Sequence, residues 1–219
     1  MLQKSPGLLV SPPVADALVC IVDDEESVRK SLSRLFASLQ MKAEAFSSAK
    51  AFLLGAPHSG PTCLVLDVEM PGLDGLELQR KLENPEVQIV FLTGHGDVPK
   101  CASAMKAGAI DFLTKPVDED DLLPAVRRAL ARSAEVRKVA AEHSAARVRL
   151  NVLTPREFEV MQRVIAGLLN KQIADELSAS EKTIKIHRGR VMAKMGVSSV
   201  PELVRVAQAA GVAPVAAAA

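Results

Sequence analysis

From Ala17 onward, short apolar runs alternate with stretches in which apolar residues recur every three or four positions. The runs fall at residues 17–22, 42–46, 62–66, 87–92 and 109–113. The periodic stretches fall at 27–39, 49–54, 75–83, 99–107 and from about 118 onward. A short continuous apolar run bounded by turn residues reads as a strand covered on both faces, and a stretch of period 3.6 reads as the helix that covers it. Five repeats of strand then helix predict an α/β domain over 17–131. Its expected form is a five-stranded parallel, doubly wound, flavodoxin-like sheet.

The last of these helices has a marked start. Asp118, Glu119, Asp120 and Asp121 crowd its first turn, where carboxylates suit the positive end of the helix dipole. Leu122, Val126, Ala129 and Leu130 then form an apolar stripe. Beyond Arg132 the stripe thins to Val136, Val139 and Ala140 among charged residues, which predicts a long, solvated helical linker over 132–149 with only a thin seam for a coiled-coil partner. A new block opens at Thr154-Pro155-Arg156-Glu157, with the N-cap, proline and glutamate of a capping box. Helical patterns follow at 155–166, 171–177, 181–195 and 201–210, with no strand pattern between them. They predict an all-α module of four short helices over 150–212. Residues 1–16, rich in Pro, Ser and Gly, read as a flexible leader, and 213–219 as a disordered tail.

Composition sharpens this division. Trp and Tyr are absent and Phe is scarce, so both cores must be aliphatic. The net charge of +1 hides an uneven spread: 13 basic and 18 acidic residues over 1–131, against 14 and 8 over 132–219. An acidic half joined to a basic half suggests that the second half faces nucleic acid. Three cysteines, Cys20, Cys63 and Cys101, are odd in number and widely spaced. They form neither a disulfide framework nor a zinc set, and they fit a reducing cytoplasm. Leu8-Leu9-Val10 is cut off by Pro12-Pro13, and no stretch reaches about 18 apolar residues, so neither a signal segment nor a membrane span is expected.

Ligand sites of a doubly wound sheet lie at the carboxyl ends of its strands. Here those ends carry Asp23-Asp24 (first strand), Asp67 (third), Thr93 (fourth) and Lys115-Pro116 (fifth). Three crowded carboxylates repel one another, and a hard divalent cation such as Mg²⁺ relieves the repulsion. A cation and a lysine also neutralise a phosphoryl group in transfer, and a carboxylate can accept that group as an acyl phosphate. Asp67 is the foremost candidate acceptor, because it ends an apolar strand and opens the glycine-containing loop Val68–Gly75. A single aspartate after a strand is more often a turn or cap. The four strand ends together carry the phospho-aspartate reading. His58 reads as exposed, and His95 lies beside the site without an assigned role.

VDDEE, LDVEMPGLDG, FLTGHGD and DFLTKP, in that order, resemble the receiver domain of two-component response regulators over 17–131. The resemblance implies that Asp67 is phosphorylated by a sensor histidine kinase. It implies Mg²⁺ on Asp24, Asp67 and the Glu69 backbone carbonyl, with Asp23 acting through water. Lys115 would pair with the phosphoryl group, and Lys115-Pro116 would be cis. Thr93 would be drawn to the phosphoryl oxygens, with Phe112 as the switch aromatic that turns inward. A new charge of about −1.5 to −2 would attract the Thr93 hydroxyl and open space for the Phe112 ring.

The segment EKTIKIHRGRVMAKM, at 181–195, holds Lys182, Lys185, Arg188, Arg190 and Lys194. Helical spacing sets Lys182, Lys185, Ile186 and Gly189 on one face and Ile184, Val191 and Met195 on another. One basic and one apolar face suit a helix that reads a DNA groove, although basic surface helices are common without DNA. The preceding helix and the turn Ser178-Ala179-Ser180 complete a helix-turn-helix arrangement. LTPREFEV, GLLNKQIADEL and SEKTIKIHRGRVMAKMGV resemble the LuxR-type DNA-binding domain over 150–212, and the pairing with a receiver resembles the NarL/FixJ family. That resemblance implies base contacts by Lys185 and Ile186. It implies phosphate or flanking-base contacts by Lys182, Thr183 and Arg190. Gly189 stands where some relatives carry a base-contacting lysine. The fourth helix would serve a homodimer on paired half-sites of double-stranded promoter DNA.

The expected function is therefore a phosphorylation-controlled transcription factor in the cytoplasm, with no enzyme activity beyond phosphoryl transfer at its own aspartate. Dimerisation and release of the DNA-binding domain are both open as outputs. A phosphatase with an aspartyl intermediate would use Glu69, two residues after Asp67, as acid/base. It would give the helix-turn-helix no role. A constitutive DNA binder with a vestigial receiver would not need the complete acidic set.

Overall fold

Strands β1 (Leu18–Val22), β2 (Lys42–Phe46), β3 (Thr62–Asp67), β4 (Val87–Thr93) and β5 (Asp111–Thr114) form one sheet in the order β2-β1-β3-β4-β5. All four pairings are parallel. The computed structural model describes residues 16–94, 96 and 98–215. The expected leader apart from Asp16, His95, and the last four residues of the expected tail lie outside the described residues.

Helices α1 (Glu26–Ser38), α2 (Ala49–Leu54), α3 (Gly75–Lys81), α4 (Val98–Lys106) and α5 (Glu119–Leu150) follow the strands in turn. Alternate residues of a strand point to opposite faces, and the core divides accordingly. Leu18, Cys20, Val22, Leu64, Leu66 and Phe91 pack with Ala49, Leu78 and Ala104 of α2, α3 and α4. Val19, Ile21, Cys63, Val65, Val90 and Leu92 pack with α1 and α5 on the other face. β1 and β3 are buried at every position, as central strands covered on both sides must be. β2 is an edge strand with Lys42 and Glu44 exposed. The cysteines are free thiols. Burial pushes that of Cys20 up to about 12 and raises that of Cys63 as well, so both stay protonated.

Two elements depart from the apolar pattern. β5 begins at Asp111, not at 109, because Ala109 N–H donates to Ala104 O (3.1 Å) and closes α4. The apolar character of Ala109 serves the core beneath that closure. α5 is one unbroken helix of 32 residues. Past Arg132 it still engages the sheet. Ser133 is fully buried; its Oγ accepts from Thr62 N–H (2.9 Å) and donates to Glu86 O. Arg137 pairs with Glu86 and donates to Ser59 O. The chain divides into two compact units after Arg137.

The second unit holds α6 (Pro155–Ile165), α7 (Asn170–Glu176), α8 (Glu181–Met195) and α9 (Val200–Ala209), joined by the last turns of α5. α6 starts with a complete capping box. Thr154 Oγ1 accepts from Glu157 N–H (3.3 Å) and Glu157 Oε2 accepts from Thr154 N–H (2.9 Å). Val160, Met161 and Val164 of α6, Ile173 of α7, Ile184, Val191 and Met195 of α8, and Leu203 of α9 make one aliphatic core. Among the described residues, no helix is long and apolar enough to cross a membrane.

Candidate functional site

β1 and β3 are neighbours, yet α1 leaves to one face of the sheet and α3 to the other. That reversal opens a crevice at their carboxyl ends. Asp23 and Asp24 lie in the turn after β1, and Asp67 is the last residue of β3. One carboxylate oxygen from each lies within 4.8 Å of the others. Asp23 and Asp67 are only 1% and 4% exposed, whereas Asp24 is open to solvent.

Lys115, just past β5, reaches into the same crevice. Its Nζ lies 2.7 Å from Asp23 Oδ2, 2.9 Å from Asp67 Oδ2 and 3.5 Å from Glu25 Oε1. Burial pushes the Asp67 carboxyl above its ordinary range, and the Lys115 ammonium pulls the other way. Burial works against the charge of Lys115, but the two aspartates outweigh it and raise its pKa. Asp67 Oδ1 accepts from Glu69 N–H (3.3 Å), and Asp23 Oδ1 from Glu25 N–H (2.8 Å). Asp23 Oδ2 is buried and takes its bond from the Lys115 ammonium. Three aspartate carboxylates within 4.8 Å of one another, two of them sharing a single ammonium, keep an excess of negative charge that fits a hard cation such as Mg²⁺.

The helix after β3 approaches closely. A Cβ on Gly75 would stand 2.2 Å from Asp67 O, so only glycine lets α3 start there. Thr93 is buried at the end of β4, and its carbonyl accepts from Lys115 N–H (2.7 Å). Phe112 on β5 is half-buried beside Phe91, with ring centroids 5.9 Å apart. The Lys115–Pro116 peptide is cis. Glu69 is exposed, and its carboxylate pairs with Lys100 of α4 at 2.8 Å.

In the second unit, α7, a short turn and α8 form a helix-turn-helix. Ser178 takes the left-handed conformation (φ 49°), and Ser180 caps α8 by accepting from Thr183 N–H (3.1 Å). Ile184, Val191 and Met195 are buried, while Lys182, Thr183, Lys185, Gly189 and Arg190 are exposed and Ile186 is 48% exposed. The basic residues divide. Arg188 donates to Asn170 Oδ1 (3.1 Å), and Lys194 donates to Glu157 Oε2 (2.6 Å) and Val152 O (3.2 Å). The Lys194 ammonium and then the Thr154 N–H hold the buried Glu157 carboxyl down to about 2. Lys182, Lys185 and Arg190 remain exposed to solvent.

A parallel α/β domain with an acidic crevice is thus followed by a helix-turn-helix unit. The profile of the response regulator receiver domain matches residues 19–127, and that of bacterial regulatory proteins of the luxR family matches 151–207. The chain is 44% identical to the response regulator protein TmoT of Ectopseudomonas mendocina, over 94% of this chain and 96% of the relative. It is 42% identical to the transcriptional regulatory protein FixJ of Rhizobium meliloti, over 92% of this chain and 100% of the relative. Among solved structures, the response regulator StyR matches with a TM-score of 0.80 at 42% identity, covering 89% of this chain and 99% of that one. The full-length FixJ of B. japonicum matches with a TM-score of 0.53 at 41% identity, covering 89% and 97%. The chain belongs to the NarL/FixJ family of response regulators, transcription regulators that join a receiver domain to a LuxR-type helix-turn-helix domain.

Proposed function

We propose that this response regulator is phosphorylated on Asp67 by a sensor histidine kinase and that the phosphorylated form controls transcription from double-stranded promoter DNA in the cytoplasm. The observation that carries the reading is the meeting of Asp23, Asp24, Asp67 and Lys115 in one crevice, three aspartate carboxylates against one ammonium. Asp24, Asp67 and the Glu69 carbonyl would hold Mg²⁺, with Asp23 acting through water. The bound cation supplies neutralisation of the charge on the transferring phosphoryl oxygens. Lys115 sustains the ionised form of Asp67 against burial. An oxygen of Asp67 attacks phosphorus; the bond to the phosphohistidine nitrogen breaks, and the imidazole departs with that electron pair. The product is an acyl phosphate on Asp67, which Lys115 continues to pair.

The added charge draws the Thr93 hydroxyl inward, and the half-buried Phe112 ring moves into the space released. That repacks the surface of β5 and the neighbouring α4, where Val98 and Met105 are already exposed apolar side chains. A homodimer on paired half-sites is the expected output. Lys185 and Ile186 would then meet bases, and Lys182, Thr183 and Arg190 phosphates or flanking bases. The domain division behind this reading is a receiver over 17–131 and a DNA-binding domain over 150–212, joined by α5.

The test is phosphoryl uptake from a small acyl-phosphate donor with Mg²⁺, read by intact mass. Wild type should gain one phosphoryl group and Asp67→Ala none. Equal uptake by Asp67→Ala, or none by wild type, would overturn the assignment.

A further inference from the structure

The turn after β1 must hold two like-charged side chains together against their repulsion. Helix α1 offers little help, because its N-cap residue, Glu25, makes no side-chain capping bond. Asp23 is tied on several sides. Its N–H donates to Phe46 O (3.2 Å), its Oδ1 accepts from Glu25 N–H (2.8 Å), and its Oδ2 faces Lys115. Asp24 is exposed, and the hydrogen bond described for its peptide comes from Arg29. Nη1 of Arg29 donates to both carbonyl oxygens, Asp23 O and Asp24 O, at 2.7 Å each.

Arg29 reaches back from near the start of α1, where a positive charge opposes the helix dipole. Its charge therefore gains nothing from the helix dipole. What it meets instead is the two carbonyls, since one planar, permanently charged donor group can hold both.

We infer that Arg29 is a positioning residue for the cation site. By bridging the carbonyls of Asp23 and Asp24 it fixes the peptide between them, and so the directions in which their carboxylates face Asp67. It acts through the backbone and touches none of the reacting atoms. The inference rests on the reading of the crevice as a cation site. Groups that orient metal ligands from outside are worth about 10–100-fold in metal affinity.

The experiment is calorimetric titration of the full chain with Mg²⁺. Wild type, Arg29→Gln and Arg29→Lys are compared, each also melted without the cation. Arg29→Gln should bind Mg²⁺ about tenfold more weakly. Its phosphoryl uptake should recover when Mg²⁺ is raised by the same factor. Arg29→Lys keeps the charge but falls about one bond short, and should lie between the two. A purely structural arginine would lower the melting temperature and leave Mg²⁺ affinity unchanged. That result, or wild-type affinity in a well-folded Arg29→Gln, overturns the inference. Should Arg29→Gln not fold, Arg29→Lys decides by the same criterion. Absence of Mg²⁺ binding in wild type would instead overturn the cation site itself.

Discussion

Gly189 lies on the exposed face of α8, between Lys185 and Arg190. A Cβ built there meets nothing within 4 Å, so nothing inside the domain calls for glycine. Glycine costs about 1 kcal/mol against alanine in a helix interior. Gly189→Ala should therefore stabilise the domain by about 0.5–1 kcal/mol, measured by denaturant unfolding. If the bare backbone lies close to DNA at this point, the same variant should bind DNA more weakly despite its greater stability. Unchanged binding would place the close approach elsewhere on α8. At this scale the acidic crevice was legible, because Asp23, Asp24, Asp67, Thr93 and Lys115 each stand at a strand end and strand ends can be read from apolar runs. Arg29 was not legible, since its partners are carbonyl groups, which every residue carries. Nor could the basic face of α8 be divided from the sequence. Arg188 and Lys194 look like their neighbours until folding brings Asn170 and Glu157 beside them.

An ionic contact joins α6 and α8 in addition to their shared aliphatic core. Glu157 serves the capping box of α6 and receives the Lys194 ammonium from the last turn of α8. Its folded pKa, about 2, lies below the ordinary 4.5. The stabilisation is therefore complete above about 4.5 and is lost as pH falls towards 2. Hydrogen exchange should show falling protection of the α6 and α8 amides across that window. Glu157→Gln should flatten the dependence and cost about 1–3 kcal/mol at neutral pH. Equal pH slopes in the two proteins would contradict the account. Element types followed from the change of period along the chain, whereas boundaries needed tertiary contacts. β5 starts late because the end of α4 takes Ala109. Ser133 and Arg137 read as solvated linker because they are polar, yet their partners are Thr62, Glu86 and Ser59 on the first unit.

At the scale of the whole molecule, the acidic excess lies in the first half and the basic excess in the second. The two family matches fall on those same halves. On the proposed function, the receiver supplies a site for a new negative charge and the helix-turn-helix supplies the output, so the function would lie in the coupling between them. What couples them was not legible from the sequence, because the proposed route turns on how α4 and β5 would repack around Phe112 on phosphorylation of Asp67, and that packing depends on contacts between elements far apart in the chain. The most direct test is the affinity of the full chain for a duplex that it has itself enriched from a random pool. The affinity is measured with and without an acyl-phosphate donor plus Mg²⁺, for wild type and Asp67→Ala. The account predicts that the donor tightens wild-type binding by about tenfold or more and leaves Asp67→Ala unchanged. Donor-independent binding in wild type, or equal tightening in Asp67→Ala, would contradict it.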